Sequence, residues 1–463
     1  MTLKKYTLAE FFCGCGGTSR GFTRSGRFNV AFGNDVKNEA LRTFEFNHAR
    51  DDVAPATVRK DIRLLDVQTI HEALKDRGIA KGDLDCMIGG PPCQGFSQLR
   101  RNEHREEGKI IKFSGYSQLA HDPRNDLVLR YLEVAEALRP KFLVIENVPQ
   151  MLNHGFDGRL GKLSEIVIKM LENDLGYRVE VAVVNCADYG VPQLRERAVF
   201  IASSIGPASF PKTTHTDPKN TELLKDGRLP WVTVKDAIGD LPTPTLESDS
   251  LGGQGIDRYV GEPSAYAQSM QSVLAFPHNH ITRSYKKSVL DIIKHMRPGQ
   301  TWNAESERIR AKYAKSIAKH VKAHGITEAQ ARLFLEQSGS INPVFYRDYY
   351  WSAYTRLAWE SPALTITANA NFLGSGRFSH PTELRGITMR EAARLQSFDD
   401  DFRFVTSMTN ENETARVGIG MDMIGEAVPP NLSQAIATHL AAQLDARSTP
   451  SKHKKEAQHK EEA

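Results

Sequence analysis

Over the first two hundred positions, short apolar runs alternate between a strand-like and a helix-like period, with Gly, Pro and polar residues between them. Residues 6–13 predict a buried strand that breaks into the turn Gly14-Cys15-Gly16-Gly17, with Thr18 placed to cap a helix starting at Ser19. Residues 29–32 and 83–88 predict two more strands, the second running into Gly89-Gly90-Pro91-Pro92. Residues 126–138 repeat on the helical period and lead directly into a mostly apolar strand at 141–145. A helix at 163–175 and strands at 179–184 and 198–202 complete the series. Such alternation predicts an α/β fold: a doubly wound, largely parallel sheet with helices on both faces.

Beyond residue 205 the alternation stops, and Pro, Thr, Asp and Gly dominate as far as Gly255. Regular elements resume near residue 355. They are a strand at 363–368, a helix at 388–398 with Thr388 at its cap and Glu391 three positions on, and a terminal helix at 431–444. The expected division is therefore a first domain at 1–205, a smaller irregular domain at 206–354, a return to the first domain at 355–445 and a disordered, solvated tail at 446–463. No internal repeat is present.

Composition sets bounds on this picture. The chain has 463 residues, 40% hydrophobic and 25% charged, which suits a globular protein with a sizeable core. No stretch approaches a membrane span and the first residues lack a signal peptide's apolar run, so a cytoplasmic protein without membrane contact is expected. The five Cys, with no CxxC spacing, argue against a disulfide framework or a structural metal site. The net charge of +4 is mild, but residues 283–322 hold eleven Lys/Arg against three Asp/Glu. That local excess suits a phosphate-contacting surface, and equally a solvated helix.

Four constellations carry chemistry. The turn Gly14–Gly17 lies where a first strand feeds a first helix, and Asp35 follows a second strand, placed to accept from a ribose diol. The spacing departs from GxGxxG, which disfavours a dinucleotide and fits an adenosyl ligand without pyrophosphate better. Cys93 sits in a loop stiffened by Pro91 and Pro92 at a strand's C-terminal end, a setting for a nucleophilic thiol or for a plain loop cysteine. Glu146 closes the apolar strand KFLVI, where burial can raise a carboxyl's pKa and let it hold a proton for a heterocyclic nitrogen; a loop carboxylate looks the same. Gln193, Arg195 and Arg197 alternate before the strand AVFIA, so that two guanidinium groups share one face.

Taken in order, these residues resemble the DNA cytosine-5 methyltransferases. The resemblance runs through FFCGCGG at 11–17, Asp35, Asp61-Ile62, GGPPCQGFS around Cys93, DPRNDL at 122–127, Glu146-Asn147-Val148, and Gln193/Arg195/Arg197. It continues in RGITMREAARLQSF at 385–398 and IGEAVPP at 424–430. It implies the S-adenosylmethionine-dependent methyltransferase fold with S-adenosyl-L-methionine as cofactor. Phe12, Cys13, Gly14, Cys15, Gly16 and Gly17 would line the cofactor, with Asp35 and Val36 at the ribose, Asp61 and Ile62 at the base, and Pro92, Leu127, Glu426 and Val428 completing the pocket. Glu426 stands where the family usually has Asn, and Met423 where it often has Gln.

The resemblance also implies the reaction. Cys93 adds to cytosine C6, Glu146 hydrogen-bonds N3 and the exocyclic amine, Arg195 binds the carbonyl, and Gln193 and Arg197 orient the loop. The cytosine must be flipped out of duplex DNA. Residues 206–354 become the target-recognition domain. Gln94 and Ser97 beside Cys93 are expected DNA contacts, and so, from their charge and helical spacing, are Arg283, Lys312, Lys315, Lys319 and Lys322 of the basic segment, for which a merely solvated helix is the alternative. A chain of this size resembles a monomeric prokaryotic modification enzyme, associated with the nucleoid when on DNA and paired with a restriction endonuclease for the same site. Three alternatives carry different signatures. A tRNA methyltransferase has a smaller recognition region, a silent binding module would not keep Cys93, Glu146, Arg195 and Arg197, and a nicotinamide dehydrogenase would carry GxGxxG.

Overall fold

The computed structural model describes residues 3–49, 51, 53–92, 105–106, 109–110, 125–153, 162–246, 258–272, 276–405 and 415–448. Seven strands form one sheet: β1 (Tyr6–Phe11), β2 (Phe28–Asp35), β3 (Ala56–Arg59), β4 (Cys86–Gly89), β5 (Phe142–Asn147), β6 (Arg178–Asn185) and β7 (Glu196–Ser203). Their order across the sheet is β3-β2-β1-β4-β5-β7-β6. All neighbours are parallel except β7, which runs antiparallel to both β5 and β6.

Because β1, β2, β4 and β5 run the same way, their C-terminal ends meet at one edge. Phe11 lies opposite both Asn34 and Gly89, and Gly89 lies opposite Ile145. In doubly wound sheets ligands bind at this edge, beyond the strands' carboxyl ends.

Helices cover both faces. On one, α3 (Val67–Lys75), α4 (Asn125–Leu138) and α5 (Lys162–Lys169) bury Ile70, Leu74, Tyr131, Val134 and Val167 against Phe11, Phe32 and Ile145. On the other, α1 (Gly17–Arg24), α2 (Asn38–His48) and the terminal helix Pro430–Ser448 bury Phe22, Phe44, Leu432 and Leu440 against Leu8, Val30 and Val144. The helix expected at 163–175 ends its α-helical hydrogen bonding at Lys169 and continues as a π turn, Met170–Asp174. The terminal helix runs through Ser448, so the tail cannot begin at 446. Gly21 explains how this helix reaches α1: a Cβ there would stand 2.3 Å from the Pro430 carbonyl oxygen.

Two compact units account for the chain. The first is Met1–Trp231 with Val405–Glu411 and Ala427–Ala463; the second is Val232–Phe404 with Asn412–Glu426. Against the boundaries expected at 205 and 354, residues 206–231 group with the sheet, while 355–404 group with the second unit. That unit is less irregular than its composition suggests. It contains a 23-residue helix, Trp302–His324, and a second, Glu328–Gln337, around Trp302, Tyr313 and Phe345. The strand expected at 363–368 shrinks to Ala363–Leu364. Thr388 and Glu391 form the expected capping box on Met389–Leu395. The buried Arg394 side chain binds Asp240 at 2.7 Å and Asp400 at 2.6 Å. Among the described residues no helix is long and apolar enough to cross a membrane.

Candidate active site

The turn after β1 is held from below. Glu10, buried in an otherwise apolar strand, accepts a hydrogen bond from the Ser19 backbone N–H (3.1 Å) and so satisfies a free donor at the start of α1. Thr18 does not cap this helix; Gly16 occupies the N-cap in the left-handed region (φ 97°), a conformation that costs glycine nothing. Ser19 Oγ donates to the Gly16 carbonyl (3.2 Å) and lies 2.9 Å from His48 Nε2, while His48 Nδ1 lies 2.6 Å from Asp51. Burial raises the Glu10 carboxyl to about 8 against the opposing hydrogen bonds of Ser19 and Thr18. Sequence reading passed over Glu10; an acid inside an apolar strand was the available signal.

Phe12 adopts φ 53°, a strained value for a side chain of this size, and its ring lies 6.3 Å from that of Tyr131. Cys13 and Cys15 are buried, and burial pushes the Cys13 thiol well above its ordinary range. Asp35 accepts from Gly14 N–H and Lys37 N–H, both at 2.8 Å, one on each oxygen, and each oxygen keeps a further lone pair. Val36 beside it is 63% exposed, a large apolar side chain open to contact at the strand ends.

Asp61 is engaged by Arg63, whose hydrogen bonds hold its carboxyl below the usual range, so its carboxylate already has a partner. Ile62 is buried and its carbonyl accepts from Arg130 Nε (3.2 Å). Leu127 and Val428 are half-buried against the two cores, and Pro92 is half-buried at the end of the β4 stem. Glu426 is exposed at the end of the helix Val417–Glu426, in the second unit.

On the other side of β4, Glu146 lies opposite Val199 of β7. Its Oε1 pairs with Arg197 Nε at 2.6 Å, both side chains being largely buried. Its Oε2 faces Gly90, where a Cβ would stand 3.2 Å away. Asn147 Nδ2 donates to the Pro91 carbonyl (2.9 Å), tying the Pro-rich stem to the end of β5. Arg195 is 2% exposed and donates from Nη2 to the Ala427 carbonyl (3.2 Å). Burial, with the neighbouring Arg197 charge, pushes its guanidinium down to about 9. Gln193 is fully buried. Thus Glu146, Arg195 and Arg197 gather beside the stem leading to residue 93. Cys93, Gln94 and Ser97 lie outside the described residues.

The expected DNA contacts divide. Lys312, Lys315, Lys319 and Lys322 are all exposed along the helix Trp302–His324. Arg283 differs from the expectation: it is half-buried, its guanidinium donates to the Asn371 carbonyl and stacks 5.1 Å from the Tyr285 ring, which engages it within the protein.

A seven-stranded sheet with one antiparallel strand, a glycine turn after β1 and a carboxylate–arginine group beside a proline-stiffened stem define a methyltransferase-type α/β enzyme. The profile of the C-5 cytosine-specific DNA methylases matches residues 6–442, and the chain belongs to that family; it is a DNA (cytosine-5-)-methyltransferase. The type II methyltransferase M.AgeI of Thalassovita gelatinovora is 29% identical over 476 residues, covering 92% of this chain and 97% of that protein. M.DdeI of Desulfomicrobium norvegicum, another type II methyltransferase, is 28% identical over 441 residues, with 94% and 88% covered. In fold, the chain is similar to a crystal structure of a prophage-encoded DNA modification methyltransferase from E. coli (TM-score 0.61, 21% identity, 95% of this chain and 100% of the other covered).

Proposed function

We propose that this enzyme transfers a methyl group from S-adenosyl-L-methionine to carbon 5 of a cytosine flipped out of duplex DNA, through a transient covalent bond to Cys93. The observation that carries this reading is the buried Glu146–Arg197 pair against the Gly90-Pro91 stem, two residues short of Cys93.

The strand ends fit the cofactor. Glu10 already supplies an internal carboxylate or carboxyl partner to the first turn of α1, which leaves that helix start poorly suited to a pyrophosphate. A nucleoside ligand without phosphate meets no such conflict. Asp35 would hold its ribose, with Phe12, Val36 and Ile62 as apolar neighbours. Bound there, S-adenosylmethionine supplies an electrophilic methyl on a sulfonium.

The chain's own residues account for the rest. Cytosine C5 is a weak nucleophile until the ring's aromaticity is broken. The Cys93 thiolate would add to C6, and the electron pair displaced toward N3 would be stabilised by the hydrogen-bonding of Glu146 to N3 and the exocyclic amine, with Arg197 fixing that side chain's orientation. The resulting enamine would attack the methyl from C5, the electron pair of the broken carbon–sulfur bond staying on the sulfur as a neutral thioether. Loss of the C5 proton to a base, with expulsion of Cys93 from C6, restores the ring. Arg195, which donates to the Ala427 carbonyl, would bind the cytosine oxygen. The described thiols, Cys13, Cys15, Cys86 and Cys186, are all buried, which leaves them unsuited to attack.

Flipping the base costs a few kcal/mol. The exposed lysine row of Trp302–His324 offers phosphate contacts that offset it. The relatives' type II character supports a modification role beside a restriction endonuclease of the same specificity. Expression in a methylation-deficient host followed by bisulfite sequencing tests the reading. Protected cytosines at one short motif are expected with the intact chain and none with Cys93→Ala. Duplexes carrying 5-fluorocytosine at that motif should trap a denaturant-stable complex, because fluorine cannot leave as the proton does. Protection that persists in Cys93→Ala would overturn the covalent route.

A further inference from the structure

Beneath the glycine turn lies a chain of buried polar groups that the mechanism does not use. His48, the last residue of α2, is 3% exposed, and its two ring nitrogens face different partners. Nδ1 lies 2.6 Å from the Asp51 carboxylate, which accepts and does not donate, so this nitrogen carries a hydrogen. Nε2 lies 2.9 Å from Ser19 Oγ on α1, and that hydroxyl donates to the Gly16 carbonyl at 3.2 Å. Asp51, His48 and Ser19 follow one another in the order of a hydrolase triad, but Ser19 is fully buried, so its oxygen meets no substrate.

The placement of these groups suits another task. A Cβ on Gly16, the left-handed pivot of the turn, would stand 3.1 Å from Ser19 Oγ, 3.1 Å from the Phe44 ring and 3.8 Å from His48 Nε2. Phe44 is backed by Gly33 of β2, where a Cβ would fall 2.7 Å from its ring, and its ring centroid lies 4.6 Å from that of His48. The turn therefore rests on the far end of α2. The near end of α2 begins at Asn38, just past Asp35, and Asp35 accepts from Gly14 N–H at 2.8 Å. Gly14 to Asp35 and Ser19 to His48 thus tie the turn to both ends of the segment that carries the carboxylate assigned to the ribose.

Resting on the cofactor reading above, we propose that His48, oriented by Asp51, is a positioning residue for S-adenosylmethionine: acting through Ser19, it holds the Gly14–Gly17 turn in the form that receives the cofactor. In this role His48 touches neither the cofactor nor the cytosine. Its effect falls on cofactor affinity and not on the methyl-transfer step.

The test measures S-adenosylmethionine binding to the full chain by calorimetry, without DNA, beside methylation kinetics. In His48→Asn the side-chain amide takes the place of Nδ1 and keeps Asp51 but falls short of Ser19; in His48→Gln the amide nitrogen reaches the place of Nε2 and keeps Ser19. His48→Asn and Ser19→Ala should each weaken binding by roughly 3- to 12-fold, the range for one hydrogen bond, with kcat at saturating cofactor as in the wild type. The double variant should be about as weak as either single one, because both break the same link. His48→Gln should bind as the wild type does. A purely structural role would lower the melting temperature of His48→Asn and leave the folded protein's cofactor affinity unchanged; that result, or a His48→Gln as weak as His48→Asn, would overturn the proposal. A wild type that bound no S-adenosylmethionine would instead bring down the cofactor reading, and this one with it.

Discussion

Replacing Glu10 with glutamine tests the account of the glycine turn quantitatively. The folded carboxyl sits at about 8 against an ordinary value of 4.5, because burial outweighs the hydrogen bonds from Ser19 and Thr18. A raised carboxyl favours folding fully below the unfolded value, and this contribution is lost as pH rises from about 4.5 through about 8. The whole difference corresponds to ~5 kcal/mol, of which ~3 kcal/mol is already lost at pH 7 and ~2 kcal/mol goes between pH 6 and pH 8. In Glu10→Gln the side-chain amide oxygen would still accept from Ser19 N–H, but the group has no proton to lose. Native-state hydrogen exchange of the β1 and α1 amides at pH 6, 7 and 8 reads the stability of this region. Fluorescence is less suitable, since three of the four Trp lie in the second unit. The variant should gain on the wild type by ~2 kcal/mol from pH 6 to pH 8, and the difference cancels every other titrating group. A difference flat to within ~0.5 kcal/mol, or one of opposite sign, would refute the argument that Glu10 is held neutral beneath the turn.

Other substitutions probe the remaining features. Glu391 is buried, and although burial alone would raise its carboxyl, Arg385 and the nearby His380 and His280 drive it well below the usual range. Its contribution is therefore present above about 4.5 and lost on acidification, and Glu391→Gln should destabilise the second unit by ~3–5 kcal/mol in urea unfolding followed by Trp fluorescence. Gly21→Ala should cost ~1–3 kcal/mol, read as a lowered melting temperature, because the new methyl meets the Pro430 carbonyl and Ser433 Oγ. Replacing Lys312, Lys315, Lys319 and Lys322 by Gln should weaken all duplexes alike and flatten the salt dependence of binding, by ~0.9 in log–log slope for each lysine that meets a phosphate. An unchanged slope would remove this helix from the DNA interface.

Much of the sheet was legible because its strands are short apolar runs closed by Gly, Pro or Asp. Residues 83–88 and 141–145 were placed within three positions of β4 and β5. Thr388 with Glu391 was read correctly because a capping box is a local pattern. What escaped was which side chains already have partners. Nothing near Thr18 in sequence says that Glu10, on a different element, already serves the start of α1. Nothing near Arg283 says that its guanidinium is taken by the Asn371 carbonyl, 88 residues away. Asp61 looked free because spacing alone does not reveal that Arg63 turns back on it. The second unit read as irregular because its Pro- and Gly-rich opening hid the helices that follow.

The union of α1 with the terminal helix has a consequence for biosynthesis. Ser433 Oγ donates to the Gly17 carbonyl (3.4 Å) across 416 residues of sequence. At ordinary translation rates that separation is ~20–80 s of elongation. Throughout it the apolar side of α1, with the glycine turn that leads into it, waits on the ribosome without its cover. A nascent chain can thus assemble the strands and still lack a finished glycine turn until the helix Pro430–Ser448 arrives to cover α1.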